Sequence, residues 1–396
     1  MPEGKGSSRL PFALILCGGF FFFANNHMLT IAIPLYLDSL GASMTLIGYS
    51  SAAMGALAFA FRFVCPPLFR KVGFTRILFA SHTFLCLITA LLLIADHPVQ
   101  VFLIRTVYGI PLALFPIYYL LLVRKVSKSS SQLVSYTSIA GYAMPLSLAV
   151  SPFIAEFLVT RYSFTAAYGA AFAVSLLSLF CMLAGSALVH TNRELEALPA
   201  QERTKAGLPV RYPILCYVYL GVVDIIVLGF LPLYAVTVGH SFSWYFLLFA
   251  SAMVLSQSLL RSRKVLEHSK AYLRIGYGAL VLCLLVITLP KIGLVLSAVC
   301  FGLGFSLVET VTNAVVIGSM TSEKETSLIN YQQISISIGR TLASFLFGLA
   351  IDSFGYNLSF LVAGLLGFVM VALVGRDRQT PNTQYMKTPA SQTPLS

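Results

Sequence analysis

"IPLYLDSLG" at residues 33–41 returns as "LPLYAVTVG" at residues 231–239. Pro34, Tyr36 and Gly41 match Pro232, Tyr234 and Gly239 at one constant offset, and the likeness continues around them. Arg62 stands opposite Arg261. "VYGIPLALFP" (107–116) aligns with "CFGLGFSLVE" (300–309), which pairs Gly109 with Gly302 and Pro116 with Glu309. "SPFIAEF" (151–157) aligns with "FGLAIDS" (347–353), which pairs Glu156 with Asp352. A repeat this long divides the chain into two similar halves.

Each half is built from apolar runs. Of the 396 residues, 58% are hydrophobic and 10% charged, against about a quarter charged in a soluble domain; the mean hydropathy is +0.85. Twelve runs approach or exceed the length needed to cross a bilayer: 11–36, 43–64, 75–95, 98–122, 133–158, 164–189, 212–236, 242–260, 272–290, 292–319, 328–353 and 357–375. Backbone polar groups in hydrocarbon must be satisfied within the segment, so each run is expected to be a helix. The fold class is an all-α membrane protein of twelve transmembrane helices in two six-helix, pseudo-symmetric halves, 11–189 and 212–375. A cytoplasmic linker, 190–211, joins them. Residues 1–10 and 376–396 are polar tails, the second expected to be disordered. The first run lacks a small-residue cleavage site and reads as a retained helix.

The net charge of +12 is topological. With the N-terminus inside, Lys5, Arg9, Arg70, Lys71, Arg76, Arg124, Lys125, Arg203, Arg261, Arg274, Arg376 and others fall on one side, while the opposite loops hold little beyond Arg161 and Lys291. This asymmetry places both termini in the cytoplasm and argues against a nucleic-acid partner; contact with anionic membrane lipid is a minor role for the basic loops. The seven cysteines lie in or beside apolar runs without a CxxC pair, so neither a disulfide framework nor a metal site is expected. No phosphate-binding loop, HExxH or GxSxG occurs, so the chain reads as neither an ATP-driven pump nor an enzyme, and no cofactor is expected.

From about residue 11 to 375 the chain resembles the major facilitator superfamily. "PLYLDSLGASMTLIG" (34–48) is similar to the first helix–second helix junction of its drug:proton-antiporter-like branch. "RFVCPPLFRKVGFTRIL" (62–78) stands where the family carries R-P-x-x-G-x-x-x-D-R-x-G-R-R: Arg62, Lys71, Gly73 and Arg76 fit, Arg70 replaces the Asp and Pro66 the first Gly. The resemblance implies a cytoplasmic gating loop at Arg62, Arg70, Lys71, Gly73 and Arg76, with Arg261 as repeat mate and the charge latch of the family altered. "RTVYG" (105–109) matches R-x-x-x-G, which implies a proton-coupling role for Arg105. "GYAMPLSLAVSPFIAE" (141–156) resembles the exporter motif ending G-P-x-x-G-G, with Ser151 and Ala155 at two of its glycines. A loose likeness to staphylopine-type metallophore exporters names no substrate.

Ionisable side chains inside a span are costly and usually functional. Asp224, in the seventh run and opposite Asn26 in the repeat, is read as a proton carrier; the alternative is a carboxyl held by hydroxyls or an Arg. Glu309 and Arg340, on the tenth and eleventh runs, are expected to face each other as a buried ion pair, either a switch or a permanent structural pair. His27 has an ordinary pKa of about 6.5 and joins Asn26, Tyr142 and Tyr331 as candidate substrate contacts; His82 is read as packing. Adjacent helical residues point about 100° apart, so Asn25, Asn26 and His27 cannot all face one cavity, and Asn26 is favoured. Pro111, Pro116 and Pro145 are expected to kink their helices.

The expected function is secondary active transport in the inner or plasma membrane: proton-coupled efflux of a small organic molecule, driven by the proton gradient. Substrate, protons and lipid are the expected partners, and a monomer the expected state. The alternatives are a proton-coupled nutrient importer and a non-transporting sensor on the same fold.

Overall fold

A computed structural model describes residues 9–127, 130–189, 211–259, 268–289, 292–318 and 325–376; residues 1–8, 190–210 and 377–396 of the tails and linker, and Arg261, lie outside them. Twelve helical rods occur among the described residues. They are α1 (Arg9–Ser39), α2 (Met44–Val72), α3 (Phe74–Leu91), α4 (Pro98–Val107 with Gly109–Val126), α5 (Ser130–Gly141 with Ala143–Arg161) and α6 (Phe164–Leu188). In the second part they are α7 (Arg211–Ile225 with Ile226–Phe230 and Leu231–Thr237), α8 (Ser243–Leu259), α9 (Ser269–Val286) and α10 (Ile292–Gly318). Glu325–Arg376 is continuous except at Gly355, whose φ of 76° separates α11 (325–354) from α12 (356–376). The protein is an integral membrane protein, and its described residues are helices joined by short turns.

The repeat motif ends its two helices in the same way. After α1, the Ala42 N–H donates to the Leu37 carbonyl at 3.0 Å; after α7, the His240 N–H donates to the Ala235 carbonyl at 2.8 Å. Between them stand Gly41 (φ 77°) and Gly239 (φ 72°). This is the left-handed cap that glycine supplies without a Cβ penalty.

Two expected kinks fall one turn before their prolines. Proline cannot donate to the carbonyl four residues back. The ladder into Pro111 therefore opens beside Tyr108, and that into Pro145 beside Tyr142, where α4 and α5 each divide. Pro116 is carried inside α4 without a break. In α7 the disturbance is a π-helical turn, Ile226–Phe230, directly before Pro232.

Packing follows small residues. α1 lies on α6 and α5, with the Ser178 hydroxyl donating to the Gly18 carbonyl at 2.9 Å. α7 lies on α11, where any side chain at Gly221 or Gly339 would strike the facing backbone. α10 packs on α8 at Gly302 and on α9 at Gly304. The first six helices meet the last six chiefly through α2 against α11, α5 against α8, and α1 against the π turn of α7.

The expected loop at 62–78 is corrected. α2 runs on through Pro66 and Pro67 to Val72, so Arg62 lies well inside a helix and the break shrinks to Gly73 (φ 88°).

Candidate functional site

The central polar cluster gathers α1, α5, α7, α10 and α11. Asp224 lies two residues before the π turn of α7, and its Oδ2 is 2.7 Å from the Arg340 Nε of α11. The carboxyl side chain is 2% exposed and the arginine side chain 37%, so the pair has one buried member and one that reaches toward open space. The pairing expected from sequence, Glu309 with Arg340, is corrected: Arg340 sits on Asp224. Glu309, half-buried on α10, remains within electrostatic range of both, and its backbone carbonyl accepts from the Tyr217 hydroxyl of α7 at 3.4 Å. One carboxyl thus holds the guanidinium while a second stands within its electrostatic range. With both ionised the group carries a net negative charge, and one proton on either cancels it.

His27 approaches the cluster from α1 and is within electrostatic range of Arg340. Its Nδ1 is 3.0 Å from the Ser147 Oγ of α5, and that hydroxyl donates to the Met144 carbonyl at 2.7 Å. A hydroxyl has one proton to give, so in this arrangement His27 Nδ1–H is the donor to Ser147.

Asn25 and Asn26 divide the work. Asn25 is fully buried: its amide donates to the Ala171 carbonyl at 2.9 Å and to Thr89 Oγ1 at 3.3 Å, and its oxygen accepts from the Tyr108 hydroxyl at 3.0 Å. It fastens α1 to α3, α4 and α6. Asn26, half-buried, has a longer 3.5 Å contact from the same hydroxyl.

Arg105 is 1% exposed at the last turn before the Tyr108 break of α4. Tyr108 and Tyr168 are its buried neighbours, and among the described residues both terminal guanidinium nitrogens are without hydrogen-bond partners. The structure therefore places it beside the Asn25 fastening and not on the Asp224–Arg340 pair. His82 is buried among Phe22, Phe115 and Tyr118, with the Tyr118 hydroxyl 3.2 Å from its Nδ1.

Of the expected gating residues, Lys71 is exposed beside Gly73, as is Arg76 one turn later. Arg62 is buried, donating from Nη1 to the Ser337 Oγ of α11 at 2.7 Å. Arg70 lies in α2 and Tyr331 in α11, their side chains outside the described set; Arg261 is also outside it. Tyr142 is half-buried at the α5 break. Sequence reasoning missed the serine partners Ser147 and Ser337, which carry no signal beyond being polar residues in apolar runs. It also missed the π turn, for which Pro232 was the available sign.

The family model described as Major Facilitator Superfamily matches residues 15–317. No curated protein matches the sequence by direct comparison. Among solved structures, a peptide transporter POT in complex with sulfate is similar with a TM-score of 0.75 at 13% identity, covering 94% of this chain and 96% of that one. A nucleoside transporter NupG gives 0.70 at 12%, covering 92% and 98%. The human organic anion transporter MFSD10 (TETRAN) gives 0.64 at 14%, covering 93% and 100%. At these identities the likeness is one of fold.

Proposed function

The chain belongs to the major facilitator superfamily, and from that premise we propose that this membrane transporter uses the proton gradient to export a small organic molecule by alternating access. The two halves, 11–189 and 212–375, rock about a site near the bilayer midplane. The observation that carries the reading is the Asp224–Arg340 pair beside Glu309.

The chemistry follows from charge balance. Protonating Asp224 leaves Arg340 without its partner, and Glu309 is the next anion within its reach. Arg340 then changes partner, and α7 and α11 change their relation. For the proton to drive the cycle its affinity must differ between the two faces, because equal affinity shifts no equilibrium. The half-buried Asn26, with His27 and Tyr142, offers polar contacts to the cargo from the α1–α5 side, and Tyr331 is assigned to the same role. Arg105, held apart among tyrosines, biases the first half.

Export is supported by the α5 stretch 141–156. Import is the second reading, favoured by the loss of two motif glycines at Ser151 and Ala155. An untargeted comparison of cell interior and spent medium, between a deletion strain and an overexpressing strain, separates them. A compound trapped inside the deletion strain and enriched outside the overexpresser is expected. A compound left unused in the deletion strain's medium would mean import, and no difference in any solute would mean a sensor.

A further inference from the structure

Away from the central cluster, at the face opposite the start of α1, two carboxylates of the repeat perform one task twice. Asp352 of α11 accepts the first backbone N–H groups of α2: Met44 N donates to Oδ1 at 3.1 Å, and Thr45 N to Oδ2 at 2.7 Å. The Thr45 hydroxyl adds a third bond at 2.5 Å. Glu156 of α5 accepts from the start of α8: Ser243 N donates to Oε2 at 3.0 Å, the Ser241 hydroxyl at 2.9 Å, and the Ser243 hydroxyl closely as well.

The equivalence extends to the receiving ends. Thr45 stands four residues after Gly41, and Ser243 four after Gly239, the two glycines that end the repeat motif. The motif therefore delivers a hydroxyl residue at the start of α2 and of α8, each facing a carboxylate from the other half. The opening N–H groups of a helix have no partner within it and carry the positive end of its dipole, so an ionised carboxylate satisfies both demands. Backbones approach closely at the same place. Gly48 and Gly348 let α2 and α11 touch, and the Ser243 hydroxyl also lies 3.1 Å from the Pro152 carbonyl of α5.

We propose that Glu156 and Asp352 are twin latches that hold this face of the transporter closed, each capping a helix of the opposite half, and that both must release for the face to open. They are positioning residues: they touch neither the Asp224 cluster nor its candidate cargo contacts. Because each bond crosses between halves, none survives a rocking motion that parts α2 from α11 and α5 from α8. Two latches related by the repeat balance the closure on both sides of the axis.

The test reads conformation directly and needs no substrate. Spin labels are placed at the exposed Ser39, the last residue of α1, and His240, just after α7, on the latched face, in a cysteine-depleted full-length protein in lipid nanodiscs. The distance distribution is then compared for the parent, Asp352→Ala, Glu156→Ala and the double variant. The double variant should raise the long-distance population by about tenfold, with each single between, and Asp352→Asn with Glu156→Gln, which keep an acceptor oxygen, should give a smaller rise. Superimposable distributions for parent and double variant overturn the proposal. If the double variant does not fold, Thr45→Val with Ser243→Ala withdraws the hydroxyl donors and leaves the carboxylates in place. A shift in the same direction supports the latches, and an unchanged distribution overturns them. The proton-coupling reading can fail without altering this result.

Discussion

Asp224 and Arg340 meet at 2.7 Å across α7 and α11, with the carboxyl buried and the guanidinium side chain 37% exposed. The geometry makes the pair both a fastening and a candidate switch. The fastening side predicts an asymmetry between single and double substitutions. Arg340→Ala strands a buried carboxylate and should cost about 2–3 kcal/mol, below the roughly 3–5 kcal/mol typical of a fully buried pair because Arg340 is partly solvated. Asp224→Asn with Arg340→Gln should recover most of that loss. Thermal melting in detergent, read as a double-mutant cycle, checks the coupling.

Asn25 and Asn26 should separate stability from function. Asn25→Ala leaves the Tyr108 hydroxyl and the Ala171 carbonyl without their buried partner, a loss of about 2–3 kcal/mol. Asn26→Ala should leave the melting temperature little changed and raise the KM for the cargo. Melting curves beside transport kinetics would distinguish the two; equal destabilisation would remove Asn26 from the site.

The α7–α11 contact tolerates no added side chain. At Gly339 a Cβ would run into the Val218 carbonyl, and at Gly221 into that of Ile336. Gly339→Val should cost at least the roughly 1–3 kcal/mol of ordinary overpacking, seen as lost monodispersity on size-exclusion chromatography. Gly278, which faces open space, should accept alanine with little change.

Arg62 is predicted to hold α2 to α11 and not to act in a loop. Arg62→Met keeps the stem and removes the bond to Ser337; Ser337→Ala removes the same bond from the other side. Each should lower thermal stability by about 1 kcal/mol or more, and the double variant should lose less than the sum of the two.

The sequence was most informative where physics repeats. The motif around Gly41 and Gly239 announced the duplication, and the structure adds the same left-handed cap at both glycines. Asp224 stood out because a carboxyl in an apolar run needs a reason. Which carboxyl Arg340 would choose was not legible: Asp224 and Glu309 lie on different helices, and helical spacing along one chain segment does not fix the rotation of its neighbour. The length of α2 was hidden because its apolar run ends at residue 64, whereas the helix continues to Val72 and the chain turns only at Gly73. Glu156 and Asp352 were visible as repeat mates, but their helix-capping role depends on contacts 87 and 308 residues away in sequence.

The most direct test of the account uses the cargo found by the metabolite comparison, with purified wild-type and Asp224→Asn protein in proteoliposomes. Two modes are measured: accumulation driven by an imposed pH gradient, and exchange of labelled for unlabelled cargo without a gradient. Asp224→Asn should keep exchange and lose gradient-driven accumulation. Uphill accumulation by Asp224→Asn at the wild-type level would contradict it and move the proton site elsewhere.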